Sequence, residues 1–221
     1  IIDAVEAGKR KIVVTNTPGV LTDEVADLAL GLLLSTVRQL PQAERYLRAG
    51  KWLEKNFPLT ATLRGRKVGI LGLGRIGKAI AQRVAAFDLP VAYHSRNKQP
   101  DVPYPYYASL NELAKDVHVL IVVTPRGPGT RNLVDAEVLR NLGPNGILIN
   151  VARGSVVDEP ALIRALRDKT ILSAGLDSVR FDSPENAQAL EFYLSLRAVV
   201  ALGMQDQLDR EFKEGRLGAQ I

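Results

Sequence analysis

Val68-Gly69-Ile70-Leu71-Gly72-Leu73-Gly74-Arg75-Ile76-Gly77 is the stretch whose reading decides the fold. Val68 to Leu71 is a short apolar run of strand type. Gly72 to Gly77 matches G-x-G-x-x-G, and the helical pattern Arg75 to Phe87 follows at once. Each glycine has a physical task in such a turn. Gly72 permits the tight bend, Gly74 lets the backbone approach a pyrophosphate, and Gly77 lets helix and strand pack closely. The phosphates would then meet the free N–H groups and positive dipole end of the helix. Arg75 and Ile76, between the second and third glycines, complete this candidate dinucleotide cradle. Thr124, which follows a later strand, is counted with them.

Working outward toward the C-terminus, strands and helices alternate. Strands are expected at Pro90–Tyr93, Val117–Val123, Ile147–Val151, Ser173–Leu176 and Val199–Leu202. Helices are expected at Ser109–Ala114, Asp135–Leu142 and Glu159–Asp168. This β-α-β alternation implies an α/β fold: a doubly wound parallel sheet of Rossmann type with helices on both faces.

The second strand bears on the choice of cofactor. Domains that bind NAD usually end it with Asp or Glu, about 20 residues beyond the glycine turn, to hold the ribose 2′-hydroxyl. Here the place reads Tyr93-His94-Ser95-Arg96-Asn97, without a carboxylate. Ser95 and Arg96 instead suit a 2′-phosphate, because a guanidinium presents forked donors to phosphate oxygens. NADP(H) is therefore expected over NAD(H), with NAD(H) still open.

Toward the N-terminus, Lys11–Thr15 reads as a short strand closed by Asn16-Thr17-Pro18-Gly19. Thr22 or Asp23 is placed to cap a helix running to Arg38 whose apolar residues lie nearly all round, so burial on more than one side is expected. A second helix is read from Pro41 to Ala49, closed by Gly50, with Trp52 and Phe57 beyond it in a loop. The all-round apolar helix and the arm through Trp52 point to a homodimer.

Composition narrows the functional classes. The 221 residues carry a formal charge of +5, 46% hydrophobic residues and no cysteine. Disulfides and thiolate metal sites are excluded, and a cytoplasmic setting is expected. The basic residues are scattered, without a Lys/Arg block interleaved with aromatics, so nucleic acid is not the expected partner. The longest apolar runs, Leu28–Leu34 and Val117–Val123, fall far short of the ~18 residues of a membrane span. Ile1-Ile2-Asp3-Ala4 has neither the pattern of a secretory signal nor an initiator Met, and a start further upstream is expected.

Ile149-Asn150-Val151-Ala152-Arg153-Gly154-Ser155-Val156-Val157-Asp158-Glu159 resembles the signature of the D-isomer-specific 2-hydroxyacid dehydrogenases. Thr15–Leu34 resembles that family's entry into the cofactor domain, Arg48–Trp52 its dimer-forming arm, and Ala174-Gly175-Leu176-Asp177 the end of its late strand. Within the family, Tyr93–Asn97 is most similar to the NADP-using glyoxylate/hydroxypyruvate reductases. The resemblance implies a small 2-keto acid as substrate, with Arg153 binding its carboxylate and carbonyl and Asp177 orienting the nicotinamide carboxamide. It also implies a layout. Residues 1–18 are a remnant of the substrate domain, 19–204 are the cofactor domain with a dimerisation arm at about 23–65, and 205–221 are a divergent tail.

The chain departs from the family at the proton donor. The family uses a His held by a Glu. Phe181-Asp182-Ser183-Pro184 offers Asp182 in place of the Glu, and the stretch ending Leu202-Gly203-Met204 puts Met204 where the His belongs. A thioether cannot donate a proton. His94 and His118 lie at the second and third strands and do not repair the loss. Asp182 is therefore the catalytic candidate beside Arg153. Two readings stand: an NADPH-dependent 2-keto acid reductase, and a non-catalytic NADP(H)-binding sensor or interaction module of the same family.

Overall fold

A computed structural model describes residues 3–15, 19–177 and 199–200. Seven strands form one parallel sheet: β1 Val68–Leu71, β2 Val91–His94, β3 Tyr106–Tyr107, β4 Val119–Val122, β5 Ile147–Asn150, β6 Ser173–Leu176 and β7 Val199–Val200. Their spatial order is β3-β2-β1-β4-β5-β6-β7. Register is in phase across the centre, with Val68 beside both Val91 and Val119, and Leu71 beside both His94 and Val122. The direction of winding reverses between β1 and β4, which opens a crevice beyond the carboxyl ends of those strands.

Two apolar cores sandwich the sheet. The four central strands are buried on both faces, so they read as continuous apolar runs. Alternate residues still divide between the cores. Val68, Ile70, Val119, Ile121, Ile147 and Ile149 face α2 (Thr22–Arg38) and α4 (Arg75–Ala85). Leu71, Leu120, Val122, Leu148 and Leu176 face α5 (Leu110–Asp116), α6 (Ala136–Leu142) and α7 (Glu159–Arg167). The helix starts are written locally. Asp135 accepts from the backbone N–H groups of Glu137 and Val138, both at 2.9 Å, and Asp158 accepts from Ala161 at 3.0 Å.

Helix α2 differs from its expected form in two ways. Leu21, not Thr22 or Asp23, holds the N-cap position and makes no side-chain cap bond; Asp23 and Glu24 lie in the first turn. Its burial is also one-sided. Ala26, Ala29, Leu30, Leu33 and Val37 pack into the core while Asp27 and Gly31 are exposed. Asp23 and Asp27 reach Arg83 of α4 at 3.1 and 2.5 Å, tying the two helices across one face of the sheet.

The expected strand Lys11–Thr15 is absent. A helix that sequence reasoning missed, α1 (Ala4–Lys9), ends there in a left-handed turn. Lys11 has φ of 55°, its N–H donates to Gly8 O at 3.1 Å, and the Ile12 N–H donates to Ala7 O at 2.9 Å. This closure takes the backbone donors of Lys11 and Ile12. Ile12, Val13 and Val14 then run exposed with no ladder partner among the described residues.

The arm is helix α3 (Leu40–Arg48) followed by a short 3-10 turn, Lys51–Leu53. Tyr46 takes Trp52 and Phe57 edge-on, with centroids at 6.4 and 5.4 Å, and its hydroxyl donates to Lys55 O at 2.8 Å. Leu53 and Leu59 stand almost fully exposed on this arm. Among the described residues no helix is long and apolar enough to cross a membrane.

Candidate functional site

The β1–α4 turn has the geometry its glycines demand. Gly72 has φ of +105°, a left-handed conformation that suits glycine, and its missing Cβ would touch Thr124 Cγ2 at 3.0 Å. A Cβ on Gly77 would fall 2.1 Å from Gly72 O, so helix and strand approach as closely as only glycine permits. A Cβ on Gly74 would meet nothing within 4 Å. Gly74 is also the N-cap of α4 and supplies no capping side chain. The first-turn N–H groups of α4 are therefore left for a ligand, and the open space over Gly74 admits one.

Each strand end continues its ladder by one bond and so places the loops around the crevice. Gly72 N–H donates to His94 O at 2.8 Å, Val123 to Leu71 O at 3.0 Å, Val151 to Val122 O at 3.1 Å and Asp177 to Asn150 O at 2.9 Å. Two adjoining clefts result. One, of about 530 Å³, lies between the glycine turn, the end of β2 and the residues that follow it (His94–Asn97), and the loop after β4. The other, of about 520 Å³, lies between Gly74–Gly77, Val123–Arg126 and Val151–Arg153. Gly74, Thr124 and Pro125 line both, so the two halves meet over the start of α4. Thr124 Oγ1 is buried there without a hydrogen-bond partner. An unpaired buried hydroxyl beside an uncapped helix start fits a site shaped for a polar ligand with phosphates.

In the first cleft, Ser95 is half-buried and its hydroxyl donates to Asn97 O at 2.7 Å, while Arg96 is exposed at the rim. The segment after β2 is anchored to the core. The Tyr93 ring is fully buried, and its hydroxyl accepts from Gln99 N–H at 2.8 Å. No acidic residue lines this half. A dinucleotide lying across α4 would put its adenosine ribose here.

In the second cleft, Arg153 follows β5. Asn150 braces this turn from within: it is 2% exposed, its Oδ1 accepts from Ala152 N–H at 3.0 Å, and its Nδ2 reaches Arg153 O at 3.4 Å. Arg153 Nη1 donates to Ala152 O at 3.0 Å, leaving other guanidinium donors for a ligand. Asp177 is half-buried at the end of β6. Burial pushes its carboxyl above the usual range, and the charge of Arg153 pulls it part of the way back. The fold thus brings Arg153 and Asp177 into electrostatic contact.

Sequence reasoning missed Asn150 and Arg126. Asn150 stood inside the quoted signature, where a buried amide among Ile149 and Val151 was the available signal. Arg126 lies in a loop without periodicity. Neither histidine joins Arg153. His94 lines only the first cleft, with Nδ1 donating to Tyr107 O at 2.8 Å. His118 precedes β4, at the amino ends of the strands and away from the clefts, and its Nδ1 accepts from Lys67 N–H at 3.0 Å. Asp182 and Met204 lie outside the described residues. No group of three acidic or histidine side chains that would hold a metal occurs among the described residues.

Residues 30–202 match the family described as D-isomer specific 2-hydroxyacid dehydrogenase, NAD binding domain. The chain is 47% identical over 176 residues to a hydroxyphenylpyruvate reductase of Plectranthus scutellarioides, covering 80% of this chain and 56% of the relative. It is 48% identical over 179 residues to a glyoxylate/hydroxypyruvate reductase of Arabidopsis thaliana, covering 80% and 57%. Among solved structures it is similar to an NADPH-dependent glyoxylate/hydroxypyruvate reductase of Sinorhizobium meliloti in complex with NADP and malonate. That match has a TM-score of 0.82 and 47% identity, over 91% of this chain and 63% of that one. The chain thus spans just over half the length of the curated relatives it matches. With this extent of agreement, the chain belongs to the D-isomer specific 2-hydroxyacid dehydrogenase family, of which it carries the NAD binding domain.

Proposed function

We propose that the protein reduces a small 2-keto acid, of the glyoxylate or hydroxypyruvate type, to a D-2-hydroxy acid with NADPH. The observation that carries this reading is the single crevice in which the glycine cradle, Thr124 and Arg153 meet. NADPH, when bound, supplies the hydride. Gly72, Gly74, Arg75, Ile76 and Gly77 hold its diphosphate against the start of α4. Ser95 and Arg96 take the 2′-phosphate, and Asp177 accepts from the carboxamide. Arg153 binds the keto acid's carboxylate and offsets charge that develops on its carbonyl oxygen. The relatives' reductase names, and the bound NADP and malonate of the Sinorhizobium protein, support a nucleotide and a small carboxylate as ligands. A proton must still reach the new alkoxide, and Asp182 or a bound water is assigned that step.

The expected assembly is a homodimer through the arm that exposes Leu53 and Leu59, and the expected compartment is the cytoplasm. Residues 1–18 are taken as part of a substrate domain, 19–204 as the cofactor domain and 205–221 as a tail.

The test is the loss of nicotinamide absorbance when NADPH is mixed with this chain and hydroxypyruvate or glyoxylate. Turnover supports the reductase. NADPH binding without turnover favours the second reading, a cofactor-binding sensor or interaction module. One observation already leans that way: neither described histidine lies in the cleft of Arg153.

A further inference from the structure

The cleft that holds Arg153 has more positive charge than the proposed reaction uses. Arg75, Arg126 and Arg153 all line it, and no acidic residue does. Arg75 is the first residue of α4, beside the glycine turn, and belongs with a diphosphate. Arg153 belongs with the carboxylate next to the keto group. Arg126 has no assigned partner, and no hydrogen bond or ion pair to its guanidinium is found among the described residues.

Position says which half Arg126 serves. Thr124 and Pro125 line both clefts, but Arg126 lines only the one with Arg153. It is therefore on the side of the reacting carbonyl and away from the ribose pocket of Ser95 and Arg96. Its loop is also built to stay in place. Thr130 Oγ1 bridges the carbonyl oxygens of Pro125 at 2.8 Å and Gly127 at 3.1 Å, the residues on either side of Arg126. Arg126 itself is exposed on this loop. Three like charges around one cleft, with Asp177 opposing that of Arg153, raise the local affinity for anions. The helix start and Arg75 answer a diphosphate, Arg153 answers one carboxylate, and one guanidinium is left over.

We infer that Arg126 is a specificity-determining residue that seats a second carboxylate at the far end of the keto acid, which extends the proposed monoacid substrates to 2-keto diacids and holds a diacid more tightly than a monoacid of the same chain length. This rests on the proposed keto-acid site at Arg153. A charge-assisted hydrogen bond of this kind corresponds to roughly 10- to 100-fold in affinity.

The test compares oxaloacetate with 2-oxobutyrate, in which a methyl group replaces the distal carboxylate. Binding to the full chain saturated with NADP⁺ is followed by calorimetry, since the oxidised cofactor cannot reduce either acid. The diacid is expected to bind at least about tenfold more tightly. R126Q should bring it down to the level of the monoacid, and R126K should keep part of the preference. Equal binding of the two acids to the unaltered chain overturns the inference alone. So does a preference that survives in R126Q, or an R126Q whose main loss is affinity for NADP⁺, which would put Arg126 on the diphosphate. If NADP⁺ itself fails to bind, or binds while neither acid does, the proposed function falls and takes this inference with it.

Discussion

The carbonyl oxygen of Gly72 lies 2.1 Å from where a Cβ on Gly77 would be. Both residues are backbone in the contact, so no side chain can move aside. Gly77→Ala must therefore shift α4 away from β1, and overpacking of this kind costs about 1–3 kcal/mol. A fall in Tm of roughly 2–4 °C per kcal/mol is expected for a chain of this size. A thermal melt reads it directly, and an unchanged Tm would show that the helix can slide without cost.

Arg96→Asp should reverse the choice of cofactor. The carboxylate would repel a 2′-phosphate and accept from a 2′-hydroxyl. The Kd ratio of NADPH to NADH should move on the order of 10²-fold toward NADH. Titration with both nucleotides measures the ratio, and a ratio that stays put removes Arg96 from the 2′-phosphate.

Arg153→Lys is not a mild change, because an ammonium cannot present the paired donors of a guanidinium. With the keto acid reductase reading, kcat/KM should fall on the order of 10²- to 10³-fold. Affinity for NADPH should fall much less. A loss confined to NADPH binding would place Arg153 on the cofactor and not on the acid.

Asp177 gives a pH dependence with a definite sign. Its folded carboxyl titrates above the usual range because burial disfavours the charge, with Arg153 opposing. Between the ordinary carboxylate range and that raised value, the folded state binds more protons than the unfolded one. Stability must then fall as pH rises through this window, and the full contribution is present only below it. Asp177→Asn removes the charge. The variant without cofactor should match the unaltered chain at low pH and exceed its stability above the window. Denaturant midpoints across pH measure this, and parallel profiles for the two proteins would contradict it.

The parts of this fold legible in the sequence are those whose constraint is local. Gly72, Gly74 and Gly77 each answer a steric demand within one turn, and the buried strands announce themselves as four-residue apolar runs. Lys11–Thr15 misled for the same local reason. Its β-branched residues suit a strand, but a strand needs a neighbour, and the donors of Lys11 and Ile12 close α1 instead. Tyr106–Tyr107 escaped notice because a two-residue edge strand has no period to detect. In the candidate site, motif position singled out Arg153, Arg96 and Asp177, and the structure places Arg96 on the first cleft, Arg153 on the second and Asp177 beside Arg153. Arg126 was not, since its proposed role comes from the guanidinium groups it shares a cleft with, and those lie at the start of α4 and on the loop after β5. Asn150 was hidden by its strand, where only three dimensions reveal an amide bracing the following turn.

The hydroxyl of Tyr93 holds Gln99 from inside the core, and Arg96 rides on the stretch between them. The footing of that stretch is thus independent of the side chain at its crest. Exchanging residue 96 alters the charge presented to a nucleotide without disturbing the sheet beneath it. On the proposed role of Arg96, cofactor preference can drift through surface substitutions alone, on a scaffold that has no stake in the outcome.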